Sequence, residues 1–309
     1  MRYPSTLTDM KGCACLVAMQ LVAFLALFCT LPQAVDAQQW SATQGDVLSI
    51  DLPADTRHLQ VRAFGKTWPW KKLDGNHIRA WIGIDLATKP GEHTILLRND
   101  AGEQRHRVDV KAGSFRISRI TVAKKMAEFS AADLHRIRAD QAAIKHTYEM
   151  SVDAHPDIRI AVEPVEGIIS TPFGARRYVN GEPRSPHSGL DIAAPEGTPI
   201  ITPLAGRVLL AQSMFLNGNT VVVGCGNGLV MVYSHLKALR HKQGDWLQAG
   251  ERIGEIGMTG RATGPHLHWG VRFRQARINP LTLLAATDIT GEAPASRRPA
   301  AKPEPAGKP

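Results

Sequence analysis

Five side chains in the C-terminal half of this sequence could do chemistry together. His266 and His268 lie in Gly264-Pro265-His266-Leu267-His268-Trp269-Gly270, and His187 and Asp191 lie in His187-Ser188-Gly189-Leu190-Asp191. His235 stands between the two boxes, in Tyr233-Ser234-His235-Leu236. The last box runs into Val271-Arg272-Phe273 and reads as the start of a strand. Side chains on a strand alternate between faces, so His266 and His268 point to one side and Leu267 to the other. Two imidazoles side by side, backed by an apolar residue, make half of a metal site. A zinc ion engaged in hydrolysis takes three protein ligands and keeps a fourth position for water, and imidazole and carboxylate are among its usual ligands. His187, Asp191 and one of His266 or His268 would supply that set. The remaining histidines would sit beside the water as acid, base or oxyanion stabiliser. Either box alone is weak, because histidine pairs also occur on solvated strands. Both boxes in this order, with a third histidine between them and glycines flanking each, form a much rarer pattern.

The match to a known family extends beyond these five residues. Ser170-Thr171-Pro172-Phe173-Gly174-Ala175-Arg176, His187 to Pro195, Gly197-Thr198-Pro199-Ile200, Val232-Tyr233-Ser234-His235-Leu236 and Gly257-Met258-Thr259-Gly260 together resemble the lysostaphin-like zinc metallopeptidases, the peptidoglycan endopeptidases. The resemblance covers about residues 168–284. It implies one zinc ion per chain held by His187, Asp191 and His268, with His235 and His266 lining the groove as the acid–base and oxyanion-stabilising pair. One departure is Gly224-Cys225-Gly226, expected in a turn away from the signature boxes, where relatives often carry an acidic residue or histidine.

The elements that must position these residues are mainly β. Strand and turn patterns fill 168–286, with strong apolar runs at Thr220-Val221-Val222-Val223, Leu229-Val230-Met231-Val232-Tyr233 and Arg252-Ile253-Gly254-Glu255-Ile256. This predicts an antiparallel β domain with an open groove over one sheet, for which the resemblance implies the duplicated hybrid motif type. Upstream, 38–112 contains several short alternating runs separated by turn signals such as Asp74-Gly75-Asn76 and Pro90-Gly91-Glu92. That spacing suggests a small β-sandwich, similar to the immunoglobulin-like domain that precedes the peptidase in some periplasmic members of the family. His58, His77, His93 and His106 are scattered through it and expected in solvent, and Trp68-Pro69-Trp70 is expected to pack in a core or edge. The segment 113–167 reads as a helical and extended linker. Ser130-Ala131-Ala132-Asp133 resembles a capping box with aspartate in place of glutamate. Leu134, Ile137, Gln141, Ile144 and Tyr148 follow at helical spacing, with His135 and His146 on the solvent side.

Composition bounds the partners. The 309 residues suffice for two ordinary domains, and a hydrophobic content of 43% excludes disorder of the whole. Residues 1–37 read as a secretory signal peptide cleaved after Ala37, from the polar leader, the apolar run of 13–28 and the small residues of Val35-Asp36-Ala37; the alternative, a retained membrane anchor, needs a span of about 20 residues, for which that run is short. The charges Arg2, Lys11, Asp9 and Asp36 cancel there, so the net charge of +9 belongs to the rest of the chain. A basic excess suggests a polyanionic partner. No nucleic-acid-binding motif or aromatic-basic platform is present, which favours a cell wall bearing peptide carboxylates over nucleic acid. Cysteine says little about compartment, because only Cys225 lies beyond the leader. The tail at 287–309 is rich in Ala, Pro and Lys and is expected to be disordered.

The expectation is therefore a periplasmic zinc endopeptidase acting on cross-links or stem peptides of peptidoglycan, with peripheral association with the cell envelope and no nucleic-acid partner. Two rivals share the fold: a non-catalytic wall-binding activator of other hydrolases, and a zinc peptidase aimed at a secreted protein. Relatives of the first kind typically have lost metal ligands, whereas all five signature residues are present here.

Overall fold

Short runs with period-two alternation become strands almost throughout this computed structural model, which describes residues 39–121, 129–154, 158 and 162–285. The expected leader at 1–37 and tail at 287–309 lie outside the described residues. Among the described residues no helix is long and apolar enough to cross a membrane.

The N-terminal strands are β1 (Trp40–Thr43), β2 (Val47–Pro53), β3 (Gln60–Ala63), β4 (Lys66–Trp68), β5 (Trp70–Lys72), β6 (His77–Gly83), β7 (Gly91–Asn99) and β8 (Gly102–Lys111). They form one sheet ordered β1-β8-β7-β3-β4 and another ordered β2-β6-β5. Alternation decides which residues go inward. On β2, Ile50 and Leu52 are buried while Ser49 and Asp51 are exposed. Trp68 is buried and donates its indole N–H to the Ala63 carbonyl at 2.9 Å. His58 and His77 are exposed as expected. His106 departs from expectation. Its ring lies 5.3 Å from that of Trp40, both ring nitrogens are buried without a hydrogen-bond partner, and burial lowers its pKa. The aromatic neighbour covers an imidazole that strand spacing alone would leave wet.

Next come β9 (Ile117–Ile120) and helix α1 (Ala131–Thr147). Ser130 caps α1 and exchanges bonds with Asp133 in a full capping box. His135 and His146 face solvent. The opposite face, with Ala143, Ile144 and Tyr148, packs against Leu209, Leu210, Val222 and Val230 of the C-terminal sheet.

The C-terminal strands are β10 (Ile168–Thr171), β11 (Arg176–Val179), β12 (Glu182–Arg184), β13 (Gly189–Ala193), β14 (Pro199–Ile201), β15 (Gly206–Met214), β16 (Gly218–Gly226), β17 (Leu229–Leu236), β18 (Trp246–Leu247), β19 (Arg252–Glu255), β20 (His266–Phe273) and β21 (Ala276–Ile278), followed by the short helix α2 (Leu281–Ala285). The main sheet is antiparallel and runs β10-β13-β20-β17-β16-β15-β18, with β21 paired to β20. A smaller sheet, β12-β11-β9, stands beside it. Gly224-Cys225-Gly226 forms the end of β16 with Cys225 fully buried, and the turn begins only at Asn227. The expected turn is thus displaced by an apolar run that continues pairing with β17.

The N-terminal sheets rest directly on the β20–β21 hairpin. Trp68 packs on Phe273 with ring centroids 5.3 Å apart. Arg277 forms an ion pair with Asp85, and Lys66 Nζ donates to the Arg274 carbonyl at 2.8 Å. One apolar core runs across this junction.

Candidate active site

The register of three neighbouring strands builds the site. On β13 and β20, Asp191 is paired with His268, and Ala193 with His266. Directly paired residues present their side chains on one sheet face, so Asp191, His266 and His268 share a face. Leu190, Ile192, Leu267 and Trp269 take the other face and are all at most 2% exposed. The inward alternation of apolar residues therefore fixes the outward one of polar residues. A one-residue slip would send every one of these side chains to the wrong side. Gly189 has its own reason to be glycine: a Cβ there would lie 2.6 Å from the Trp269 carbonyl oxygen and 2.9 Å from the His268 ring.

His187 sits in the loop before β13. The segment Pro172–Ala175 holds it, through His187 N–H to the Ala175 carbonyl (3.0 Å) and ring Nδ1 to the Pro172 carbonyl (3.0 Å). A carbonyl only accepts, so Nδ1 carries the proton and the Nε2 of the neutral ring is a lone pair. That Nε2 lies 2.9 Å from Asp191 Oδ1 and 3.0 Å from His268 Nδ1, and the last two atoms are 2.8 Å apart. With neutral rings this triangle holds at most one proton, so at least one pair of lone pairs faces across it. A cation at the centre would remove that repulsion. The donor set, two imidazoles and a carboxylate, fits zinc, and the outward N–H of His187 on a carbonyl is the orientation that a metal-ligating histidine usually has. Burial alone would raise the Asp191 pKa, but the close ring nitrogens of His187 and His268 reverse this and hold it far below the usual carboxylate range. Burial lowers His268, against the pull of Asp191.

His235 reaches the same face by a different device. Simple alternation after the buried Tyr233 and the groove-side Ser234 would aim it into the core. A register shift between Asn219 and Val221 inserts an extra residue in β17, and His235 adopts φ 64°. Bulges next to functional sites commonly re-aim a side chain. The result places the His235 ring 4.6 Å from that of His266 and 6.4 Å from that of His268. Thr259 fixes it: the Thr259 carbonyl accepts from His235 Nδ1 at 2.9 Å, while its hydroxyl donates to the Leu236 carbonyl and accepts from Asn219 N–H. His266 Nδ1 likewise donates to the Gly264 carbonyl at 2.8 Å. In the neutral state both rings therefore present an unprotonated Nε2. Burial, only partly countered by the Thr259 bond, lowers the His235 pKa to about 4.

All five residues singled out in the sequence thus come together. Arg177 was missed. It follows the Ser170–Arg176 box directly, and its Nη2 donates to Asp191 Oδ2 at 3.2 Å. Nothing in its spacing to Asp191 marks it, because the β11–β12 hairpin creates the contact.

Known proteins carry the same stretch. The pattern described as Peptidase family M23 matches residues 185–280. The DD-carboxypeptidase/endopeptidase Mpg of Neisseria meningitidis serogroup B is 38% identical over 119 residues, 38% of this chain and 27% of that protein. The peptidoglycan DD-endopeptidase ShyA of Vibrio cholerae is 40% identical over 114 residues, 37% of this chain and 26% of that protein. The chain therefore spans about a quarter of the length of these curated relatives. A Pseudomonas aeruginosa crystal structure described as an M23 peptidase matches more widely, at 33% identity over 79% of this chain and 95% of that one, with a TM-score of 0.64. With that extent of shared sequence and fold, the chain belongs to the M23 peptidases.

Proposed function

We propose that this protein is a zinc-dependent endopeptidase that hydrolyses peptide cross-links or stem peptides of peptidoglycan outside the cytoplasm, in the periplasm. The observation that carries the reading is the closed triangle of His187 Nε2, Asp191 Oδ1 and His268 Nδ1, every side 3.0 Å or less. Those three residues would hold one zinc ion per chain. When bound, zinc polarises the scissile carbonyl and acidifies a water toward a pKa of about 7.

The chain's own groups then do the rest. His235 and His266 each have Nδ1 tied to a backbone carbonyl, so each can take a proton only at Nε2. One of them accepts the proton of the attacking water and passes it to the leaving amine. The other, once protonated at Nε2, donates from the same face to the developing oxyanion. Arg177 holds the outer oxygen of Asp191 and keeps the inner one aimed at the two histidines. The relatives named as peptidoglycan endopeptidases and the basic net charge support an anionic wall as the substrate.

Purified sacculi and a denatured protein should be digested side by side, with product masses measured. Release of wall peptides alone supports the proposal. Cleavage of the protein alone points to a secreted-protein peptidase, and no cleavage of either points to a binding role.

A further inference from the structure

The walls beside the histidine cluster carry three arginines, two of which the chemistry above leaves unused. Arg177 and Arg184 are direct cross-strand partners on β11 and β12. Like charges directly opposite each other on a sheet are destabilising. Arg261 approaches from the other side, in the loop that follows Thr259. Its backbone N–H is bound to the Leu216 carbonyl at 2.9 Å and its guanidinium lies over the Phe129 ring, 5.5 Å from the centroid. Arg177 touches Asp191 on one side of the histidine cluster and Arg261 follows two residues after Thr259, which holds His235 on the other; in keeping with that placement, burial first and then the charges of Arg177 and Arg184 lower the Arg261 pKa. Against them stands Asp191 Oδ2, 3.2 Å from Arg177, on a carboxylate already shared with two histidines. Among the described residues neither Arg184 nor Arg261 has an ion-pair partner.

Three guanidinium groups beside one groove, of which only Arg177 has a carboxylate partner among the described residues, are suited to an anionic ligand. Guanidinium groups match carboxylates in shape and charge. The position is also close to the reacting centre. Arg177 touches Asp191, and Thr259, two residues before Arg261, holds His235. An extended peptide advances about 3.3 Å per residue, so a group one or two residues from the scissile bond falls within reach.

We infer that Arg184 and Arg261, with Arg177 between them and the histidine cluster, form a subsite for a free carboxylate carried by the peptide substrate beside the scissile bond. This deepens the endopeptidase reading and rests on it. The subsite selects peptides by a charge that an amidated peptide lacks.

The test uses two short peptides that differ only in having a free carboxylate or a carboxamide next to the susceptible bond. Binding to the zinc-loaded protein is measured by calorimetry with the susceptible amide replaced by a non-hydrolysable isostere, and turnover is followed separately with the ordinary peptides. The acid should bind about tenfold tighter than the amide, as expected of a charge-assisted hydrogen bond. Arg184→Gln and Arg261→Gln should each reduce that preference, and the double variant should abolish it while amide binding stays unchanged. Arg62→Gln, an exposed position on β3, controls for net charge and should leave the preference intact. Equal affinity of the two peptides for the wild type, a preference that survives the double variant, or an equal loss in Arg62→Gln would overturn the subsite. Because binding is read without cleavage, a failure of turnover alone strikes the endopeptidase reading and leaves the subsite result standing.

Discussion

Asp191 and His268 face each other across β13 and β20, with Oδ1 and Nδ1 2.8 Å apart. The pairing is set by backbone register, and the register is set by the core side of the same strands, where Leu267 is fully buried. Three substitutions on β20 should therefore behave differently. His268→Ala removes a proposed ligand, and both zinc and turnover should be lost. His266→Ala leaves the triangle intact, so about one zinc per chain should remain while the rate falls roughly 10²–10⁴-fold, the usual worth of a positioned acid–base group. Leu267→Asp should lower the melting temperature, because it buries a charge in the core. Metal analysis, rates and melting curves on the three variants check this. If His266→Ala loses zinc while His268→Ala keeps it, the two roles are exchanged.

His235 is held in the left-handed region at φ 64°, where an L-residue costs roughly 1–2 kcal/mol. Glycine escapes that cost. His235→Gly should therefore be more stable than His235→Ala by about 1 kcal/mol, although both should be nearly inactive and retain zinc. Chemical denaturation of the pair measures the difference. An alanine variant as stable as the glycine variant would show that the backbone there is unstrained.

What the sequence reveals and what it hides follow from how local the determinants are. The shared face of His266 and His268 is legible because strand alternation is local, and so is the start of α1, because the Ser130 cap lies three residues from Asp133. The coming together of His187 with the other boxes is legible only as a pattern of motifs. Its physical cause, the Pro172 carbonyl that orients the ring, arrives from 15 residues away. The side to which His235 points is not legible, since a bulge reverses the alternation that Tyr233 and Ser234 establish. Arg177 is hidden for the same reason, as its contact with Asp191 depends on a hairpin folding over. His106 was expected in solvent because no sequence signal announces that Trp40 covers it.

Asp85 and Arg277 join the N-terminal sheets to β21, with Nη2 and Oδ1 2.6 Å apart. Burial raises the Asp85 pKa, but bonds from the Arg277 side chain and from the Arg277 and Ala87 amides outweigh it, and the net shift is below the ordinary 3.8. A carboxyl whose folded pKa lies below its unfolded one binds protons less readily when folded. Its stabilisation is complete above the unfolded value and is lost as pH falls through the folded one. Asp85→Asn should therefore be less stable than wild type at pH 7, and the gap should close as the pH drops below about 4. Denaturation curves of both proteins between pH 7 and pH 2 test this. A gap that stays constant would mean that the ion pair contributes nothing to the junction.

Asp140 is a buried carboxylate that ties α1 to the C-terminal sheet. It is 6% exposed, and its Oδ2 accepts the Phe215 backbone N–H at 2.8 Å. The same loop then contributes the Leu216 carbonyl to Arg261 and the Asn217 carbonyl to the backbone N–H of His235. The helix thus reaches the site through one loop. Asp140→Ala leaves the Phe215 N–H without its acceptor and should cost about 1–3 kcal/mol. Asp140→Asn keeps an acceptor oxygen and should cost less. Arg138→Ala, on the exposed face of α1, should change stability by no more than about 0.5 kcal/mol. If the loop transmits the loss, Asp140→Ala should also lower the turnover number at a temperature where it remains fully folded, with zinc content unchanged. A variant that is destabilised but turns over at the wild-type rate would confine Asp140 to holding the helix down, with no part in placing His235.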